Sequence, residues 1–541
     1  MKYPIGIQNF EDLRRNYYAY VDKTNFVYKL ADEGKYYFLS RPRRFGKSLF
    51  LSTLEAYFQG KKELFEGLAI YDMEKEWKKY PIFHIDLNTA NFREKDSLYI
   101  VLNDYLTAWE NKYGARESEA TLALRFKGVI ARAAEKEGCS VVILVDEYDK
   151  PILQTLSDPE LQAEHRAQLK AFYSVLKTQD RYIKFAFLTG VTKFGKVSVF
   201  SDLNNLTDIS MDYRYISICG MTEKELLENF KEGICQLAEA NGDTEEATIA
   251  KLKARYDGYH FEEHTEGIFN PFSVLNTLAK FRFKDYWFET GTPTFLVDLL
   301  KKHNYRLPDM TKGRVSDDVI NSVDSLSTNP IPVIYQSGYL TIKGYDERFK
   351  KYLLGFPNKE VEEGFLNFLL PLYTSAGSES PFMVDEFVKD VEAGKPEQFL
   401  KRLTAFFASN SYQVAGDAEL YFQNALYLVF KIMGFYTQVE LPTIEGRMDI
   451  LVKTSDYIYI IECQLDGSAE EALQQIESKN YAAPFAMDKR TVVKLGINFS
   501  SKTRGVESWK LGLGVSSIAA VIGCIANMSK KGVVFKYTMF G

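Results

Sequence analysis

Tyr36-Tyr-Phe-Leu-Ser-Arg-Pro-Arg-Arg-Phe-Gly-Lys-Ser-Leu-Phe50 decides how the first third of this chain is read. Tyr36–Ser40 is an apolar run of strand type, and SLFLSTLEAYF, from Ser48 on, has the spacing of a helix. A loop that holds phosphate needs inward-facing backbone N–H groups at a helix N-terminus. It also needs a lysine for the outer phosphates and a hydroxyl for magnesium. Gly46, Lys47 and Ser48 stand where that geometry asks for them, and Arg43, Arg44 and Phe45 complete the nucleotide-binding loop. Arg41 occupies the place of the first glycine in GxxxxGK[ST]. Taken alone, the stretch therefore leaves a second reading open, a basic turn ahead of a helix.

Further along, Ser140–Asp146 (SVVILVD) reads as a buried strand that ends in Asp146-Glu147. A carboxylate at such a strand end holds magnesium through water, and the next one orients or deprotonates the attacking water. Together with the loop this predicts ATP and Mg2+ as ligands, with Ser48 and Asp146 on the metal and Glu147 catalytic. Ile183–Phe187 is another apolar strand, running into Leu188-Thr189-Gly190-Val191-Thr192. Thr189 or Thr192 is placed to sense a γ-phosphate; a plain strand-end threonine is the alternative. Strands are expected at Tyr36–Ser40, Ile82–Asp86, Val141–Asp146, Ile183–Thr189 and Tyr215–Cys219, with helices such as Ser97–Tyr113 and Leu122–Glu137 between them. Such alternation predicts an α/β fold, a parallel sheet with helices on both faces.

The segments YVDKT (Tyr20–Thr24), RPRRFGKS, VDEYDKPI (Val145–Ile152), FLTGVTKF (Phe187–Phe194) and NNLTDIS (Asn204–Ser210) resemble the bacterial AAA-ATPase-like family. That family's arginine-rich phosphate loop also lacks the first glycine, so the resemblance accounts for Arg41. It covers about residues 1 to 220, and YDGYHF, NPFSVL and LGFPNKEV further on also resemble it. Asp22 belongs to the YVDKT element, where a structural role is expected.

A second set of acidic residues lies near the C-terminal end, in Gly446-Arg447-Met448-Asp449 and Ile460-Ile461-Glu462-Cys463-Gln464. Glu462 and Gln464 are two apart on one strand and hence share a face. Asp449 starts the preceding strand, and a hairpin brings it beside Glu462. Two converging carboxylates make an oxygen site for Mg2+ or Mn2+ that activates water against a phosphodiester. The expected order is helix Ala418–Met433, strands Phe435–Leu441, Arg447–Val452 and Tyr457–Cys463, helix Ser468–Tyr481 and strand Thr491–Phe499. It resembles the PD-(D/E)XK nuclease superfamily, with Gln475, Lys479 and Tyr481 on the helix after the strands and Glu419 as an additional acid. The resemblance implies Asp449, Glu462 and Gln464 as catalytic and Asp449 and Glu462 as metal ligands. Gln464 stands where lysine is usual, and glutamine hydrogen-bonds without supplying charge. Both an active nuclease and an inactive, binding-only domain therefore stay open.

A chain of 541 residues exceeds one hydrophobic core. The expected division is a P-loop domain over 1–220, a helical lid or winged-helix-like region over 221–357, and a nuclease-like domain over 358–541. A net charge of −6 shows no global basic field, which still allows a local basic groove for DNA or RNA. Five scattered cysteines without a CxxC pair fit neither a disulfide framework nor a zinc site, and the His260–His264 pair reads as a solvated turn. The N-terminus lacks the apolar core of a signal peptide, and Leu511–Met528 reads as a buried helix or strand pair rather than a membrane span. A cytoplasmic ATPase coupled to a metal-dependent nuclease-like domain is the expectation, with an ATP-switched binding module as its rival; an oligomer is allowed by both.

Overall fold

The structure, a computed structural model, describes residues 1–193, 205–290, 296, 299–300, 303, 305–311, 314–320, 329–372, 380–408, 418–434, 436–440, 443–444, 447–503 and 505–513. The chain forms two compact units. One comprises residues 1–303 and 309–362, the other 304–308 and 363–541.

In the first unit the apolar runs become strands β1 (Tyr36–Ser40), β2 (Ile82–Asp86), β3 (Val141–Asp146), β4 (Ile183–Gly190) and β5 (Thr207–Asp208). They pair in the order β2-β3-β4-β1-β5, all parallel. Thus β4 is inserted between β1, which feeds the phosphate loop, and β3, which ends at Asp146. Both faces of a parallel sheet are covered, and β3 is accordingly buried along its whole length. The expected strand at Tyr215–Cys219 is not formed; Tyr213–Ile218 is a 3-10 helix, and Thr207–Asp208 supplies the fifth strand instead. The Asp212 side chain accepts the Arg214 N–H at the start of that turn, and Arg41 donates to the Tyr215 and Ile216 carbonyls. A turn whose carbonyls are already taken has none to offer a ladder.

Helices Glu223–Asn241, Glu245–Tyr256 and Pro271–Lys280 follow. The first has a full capping box, Thr222 with Glu225. Strands β6 (Arg314–Ser316), β7 (Thr341–Asp346) and β8 (Lys351–Gly355) then make an antiparallel sheet in the order β6-β8-β7. β7 and β8 pair as an antiparallel hairpin.

The second unit carries β9 (Gln438–Glu440), β10 (Thr443–Ile444), β11 (Arg447–Lys453), β12 (Tyr457–Leu465), β13 (Thr491–Ser500) and β14 (Gly505–Leu513). The order is β10-β11-β12-β13-β14, with β9 also on β11. Only β12 and β13 pair in parallel, joined through the helix Ala469–Ser478. Ile458, Ile460 and Ile476 form the core between that helix and the sheet. Gly496 is required here, because a Cβ would meet the Ala469 carbonyl at 2.3 Å. The helix ends at Ser478, so Lys479 is its cap and Tyr481 lies beyond it. Most of Leu511–Met528, from 514 on, lies outside the described residues, as do Phe194 and Asn204. Among the described residues no helix is long and apolar enough to cross a membrane.

Candidate functional site

The loop leaves β1 at Arg41, whose N–H donates to the Gly190 carbonyl of β4 at 3.2 Å. Arg44 (φ 65°) and Gly46 (φ 97°) both take left-handed backbone, and the helix Lys47–Phe58 starts at once. At Gly46 the requirement is conformational, since a Cβ there would meet nothing within 4 Å. Phe45 is buried edge-on against Tyr259 (4.8 Å) and Phe261 (5.7 Å), and its carbonyl accepts the Gly220 N–H. Its ring is thus an anchor for the loop. Arg43 and Arg44 are exposed; the Trp287 indole donates to the Arg43 carbonyl at 3.0 Å, and Arg44 stacks over Phe272.

Arg41 does not join the cationic face of the loop. It is 1% exposed, lies 3.9 Å from the Phe261 ring centre, and donates to the carbonyls of Ser40, Ser210, Tyr215 and Ile216. Burial pulls its guanidinium down to about 10. Its partners are backbone oxygens rather than a phosphate.

Lys47 is 4% exposed, and its ammonium donates to the Arg41 and Pro42 carbonyls. It also lies 3.4 Å from Glu147 Oε1. Asp146 is buried, bonded by the Ser48 hydroxyl, and pushed up to about 6 by burial and then by the Glu147 charge. The Ser48 hydroxyl and the Asp146 carboxylate, both hard oxygen donors, fit a magnesium ion. Glu147 itself has left-handed backbone (φ 53°) just after β3, and its N–H donates to Asp146. The structure thus brings Lys47, Ser48, Asp146 and Glu147 together.

The β4 end is arranged differently from expectation. Thr189 is fully buried, and its hydroxyl meets no hydrogen-bond partner among the described residues. Thr192 is bound by Asp149, a fully buried carboxylate that accepts from the Val191 and Thr192 N–H groups and from the Thr192 hydroxyl at 2.6 Å. Burial, and after it the Glu147 charge, raises Asp149 to about 6. Asp149 ties the β4 end to the turn that carries Glu147, and the signal for it was the third acid of VDEYDKPI. Asp22 has the expected structural role, accepting from Thr24 and from the Ala69 N–H.

Lys47, Ser48 and Glu147 open on a cavity of about 1330 Å³, whose wall does not include Asp146. Its walls include Arg43–Phe50, the N-terminal segment Pro4–Gln8, Glu147, Phe272 and Trp287. Thr189 is not part of that wall.

In the second unit, position 449 pairs opposite Glu462 across β11 and β12, so the two positions share a face of the sheet. Glu462 is fully buried and accepts from the Gln475 side-chain amide. Gln464 is half-buried. The side chains of Asp449 and Glu419 lie outside the described residues. No cluster of three metal-ligating residues occurs among the described residues. Lys494, on the strand beside β12 and opposite Ile460, pairs with Glu477 at 2.7 Å. His260 Nδ1–H donates to the Thr265 carbonyl within its own turn, as a solvated loop would have it.

Residues 4–200 match the family model described as a predicted AAA-ATPase, and residues 417–509 match the PD-(D/E)XK nuclease superfamily. The chain is also 36% identical over 520 residues to the uncharacterized protein in the vnfD 5′ region of Azotobacter chroococcum mcd 1. That alignment spans 93% of this chain and 98% of its relative. Together the matches support an ATPase-like and a nuclease-like domain on one chain.

Proposed function

Because the chain belongs to the AAA-ATPase-like family that ends in a PD-(D/E)XK nuclease superfamily domain, we propose that it binds and hydrolyses ATP. The ATP state then controls the nuclease-like unit. The observation that carries this is the Lys47–Glu147 pair at 3.4 Å, beside Ser48 in the first turn of the helix Lys47–Phe58 and Asp146 at the end of β3. In this reading Lys47 exchanges the Arg41 and Pro42 carbonyls for the β- and γ-phosphates. The backbone from Arg43 to Ser48 cradles them at the helix N-terminus. Ser48 and Asp146 are the residues that would hold magnesium, which when bound offsets the charge on the phosphate oxygens. Glu147, released from Lys47, accepts a proton from the attacking water. Thr189 senses the γ-phosphate in this reading only when the β4 end shifts, because its hydroxyl is buried.

Calorimetric titration of ATP with magnesium tests the assignment. The parent is expected to bind, and Lys47→Ala to lose most of the affinity; equal affinity in the two removes Lys47 from the phosphate site.

At the C-terminal unit, Asp449 and Glu462 are the residues that would hold Mg2+ or Mn2+ over a phosphodiester of DNA or RNA. Their oxygen donors fit either ion. A second reading, an ATP-switched binding module with an inactive nuclease fold, is favoured by Gln464 in the lysine position and by the Gln475 amide already on Glu462. A cytoplasmic location agrees with both readings.

A further inference from the structure

We propose that Lys150 is a further catalytic residue of the ATP site, a positioned cation for the γ-phosphate oxygens, supplied from the turn that carries Glu147. The inference rests on the ATPase reading above and adds a residue that it does not use.

The backbone of that turn is tied to the sheet. Glu147 takes left-handed backbone, and the Lys150 N–H closes the turn on the Glu147 carbonyl at 3.0 Å. The Tyr148 N–H donates to the Thr189 carbonyl at 3.1 Å, and Asp149 accepts from the Val191 and Thr192 N–H groups, so the end of β4 holds the turn. The side chain is held as well. Its ammonium donates to the Asn88 carbonyl at 2.9 Å and to Asn88 Oδ1 at 2.6 Å. Asn88 stands two residues beyond β2, which borders β3 on the side away from β1 and the P-loop. Both acceptors are neutral, so they position the charge without cancelling it. An ammonium has three N–H donors, and Asn88 takes two of them, which leaves one for a phosphate oxygen.

Lys150 lines the same cavity as Arg43, Lys47, Ser48 and Glu147. Burial pulls its ammonium below the ordinary lysine range; the charges of Glu147 and Asp86 oppose this, and Arg43 adds to it. The charges it senses are thus those around the P-loop and the acidic pair. In hydrolysis the water oxygen attacks the γ-phosphorus, and Glu147 takes a proton from that water. The bond from the γ-phosphorus to the β–γ bridging oxygen breaks, and its electron pair stays on ADP. A cation already in position stabilises the oxygens of the phosphoryl group in transfer without reorganising. Lys47 serves both outer phosphates, whereas Lys150 serves the γ-phosphoryl group alone. Its loss should therefore slow turnover and spare ADP binding.

The full chain is titrated with ADP and with ADP plus aluminium fluoride, each with magnesium, and turnover is read by phosphate release. The aluminium fluoride stands in for the phosphoryl group in transfer. Lys150→Gln is expected to bind ADP within about threefold of the parent and the aluminium fluoride complex at least about tenfold more weakly. Its turnover is expected to fall about 100-fold or more. Asn88→Ala, at an exposed residue, keeps Lys150 but releases its ammonium, and should show the same selective loss at smaller size. It carries the test if Lys150→Gln fails to fold. Equal weakening of ADP and of the complex would make Lys150 a structural part of the turn and overturn the proposal. Parental turnover and complex affinity in Lys150→Gln would overturn it too, as they would in Asn88→Ala where that variant carries the test. A parent that binds neither ligand fails the P-loop reading and this inference with it. A parent that binds both, matched by Lys150→Gln, fails this inference alone.

Discussion

Replacing Glu360 by glutamine should make the first unit more resistant to alkaline pH, and the size of the effect follows from the carboxyl's surroundings. Glu360 is fully buried; its Oε1 accepts from the Ser273 hydroxyl at 2.9 Å and from the Trp287 N–H at 2.8 Å. Burial pushes the carboxyl up to about 8, from an ordinary value of 4.5. Asp285 adds to the rise and Arg255 opposes it. The folded protein therefore keeps a proton that the unfolded chain gives up above pH 4.5, so stability falls as pH rises. The fall is about 1.4 kcal/mol per pH unit across that interval. About 3 kcal/mol is lost by pH 7 and about 5 kcal/mol above pH 8, where the loss levels off.

Glutamine cannot ionise, and its carbonyl oxygen can take over both hydrogen bonds. Its amide replaces Oε2, which meets no hydrogen-bond partner, at a pH-independent cost of about 1–3 kcal/mol. Parent and variant should thus be close near pH 6, with the variant ahead by about 2 kcal/mol or more at pH 9. Trp287 reports on this site and also on the P-loop, because its indole donates to the Arg43 carbonyl. Urea unfolding followed by tryptophan fluorescence at pH 6, 7, 8 and 9 gives the comparison. Parallel pH profiles for the two proteins would refute the argument, since a Glu360 already ionised at pH 6 has nothing left to lose.

Glu147→Gln keeps the shape of the water-positioning residue and removes its basicity. It should therefore bind ATP at parental strength but turn it over at least 100-fold more slowly in a phosphate-release assay. Parental turnover would remove Glu147 from the reaction. In the second unit Asp449→Ala should abolish any metal-dependent cutting of DNA or RNA. Gln464→Lys should raise it, because lysine restores charge beside the attacked phosphodiester, and Mn2+ should serve better than Mg2+ in the parent. Identical behaviour of parent and Asp449→Ala in every assay would leave the binding-module reading.

What was legible in the sequence were features that one segment fixes by itself. The apolar runs of β1 to β4 and the helix after Lys47 follow from local periodicity, and the acid pair follows from its place at a strand end. The register of Asp449 against Glu462 was legible too, because a short hairpin leaves few alternatives. What was not legible depends on residues distant in the chain. The fifth strand was misplaced because Tyr215–Cys219 is apolar for another reason. Its side chains are buried while its carbonyls serve Arg41, more than 170 residues earlier. Asp149 looked like one more acid in a run, and only the fold shows it holding the end of β4.

Arg41 itself gives the sharpest test of that difference. In the motif it stands where glycine is usual, so Arg41→Gly would be read from sequence alone as a repair. The structure predicts harm. Left-handed backbone in this loop falls on Arg44 and Gly46, and Arg41 is not among the residues with positive φ, so glycine's freedom has no use at 41. Its guanidinium serves four backbone carbonyls and covers the Phe261 ring. Arg41→Gly would leave those buried oxygens without donors and open a cavity, at a cost of roughly 3–5 kcal/mol. For a unit of this size, that lowers the melting temperature by about 4–7 °C. Calorimetric melting of the full chain measures the loss, and ATP titration below the transition measures affinity in the protein that stays folded. Unchanged melting with weakened ATP binding would mean that Arg41 reaches the phosphates after all, and that the buried guanidinium described above is wrong.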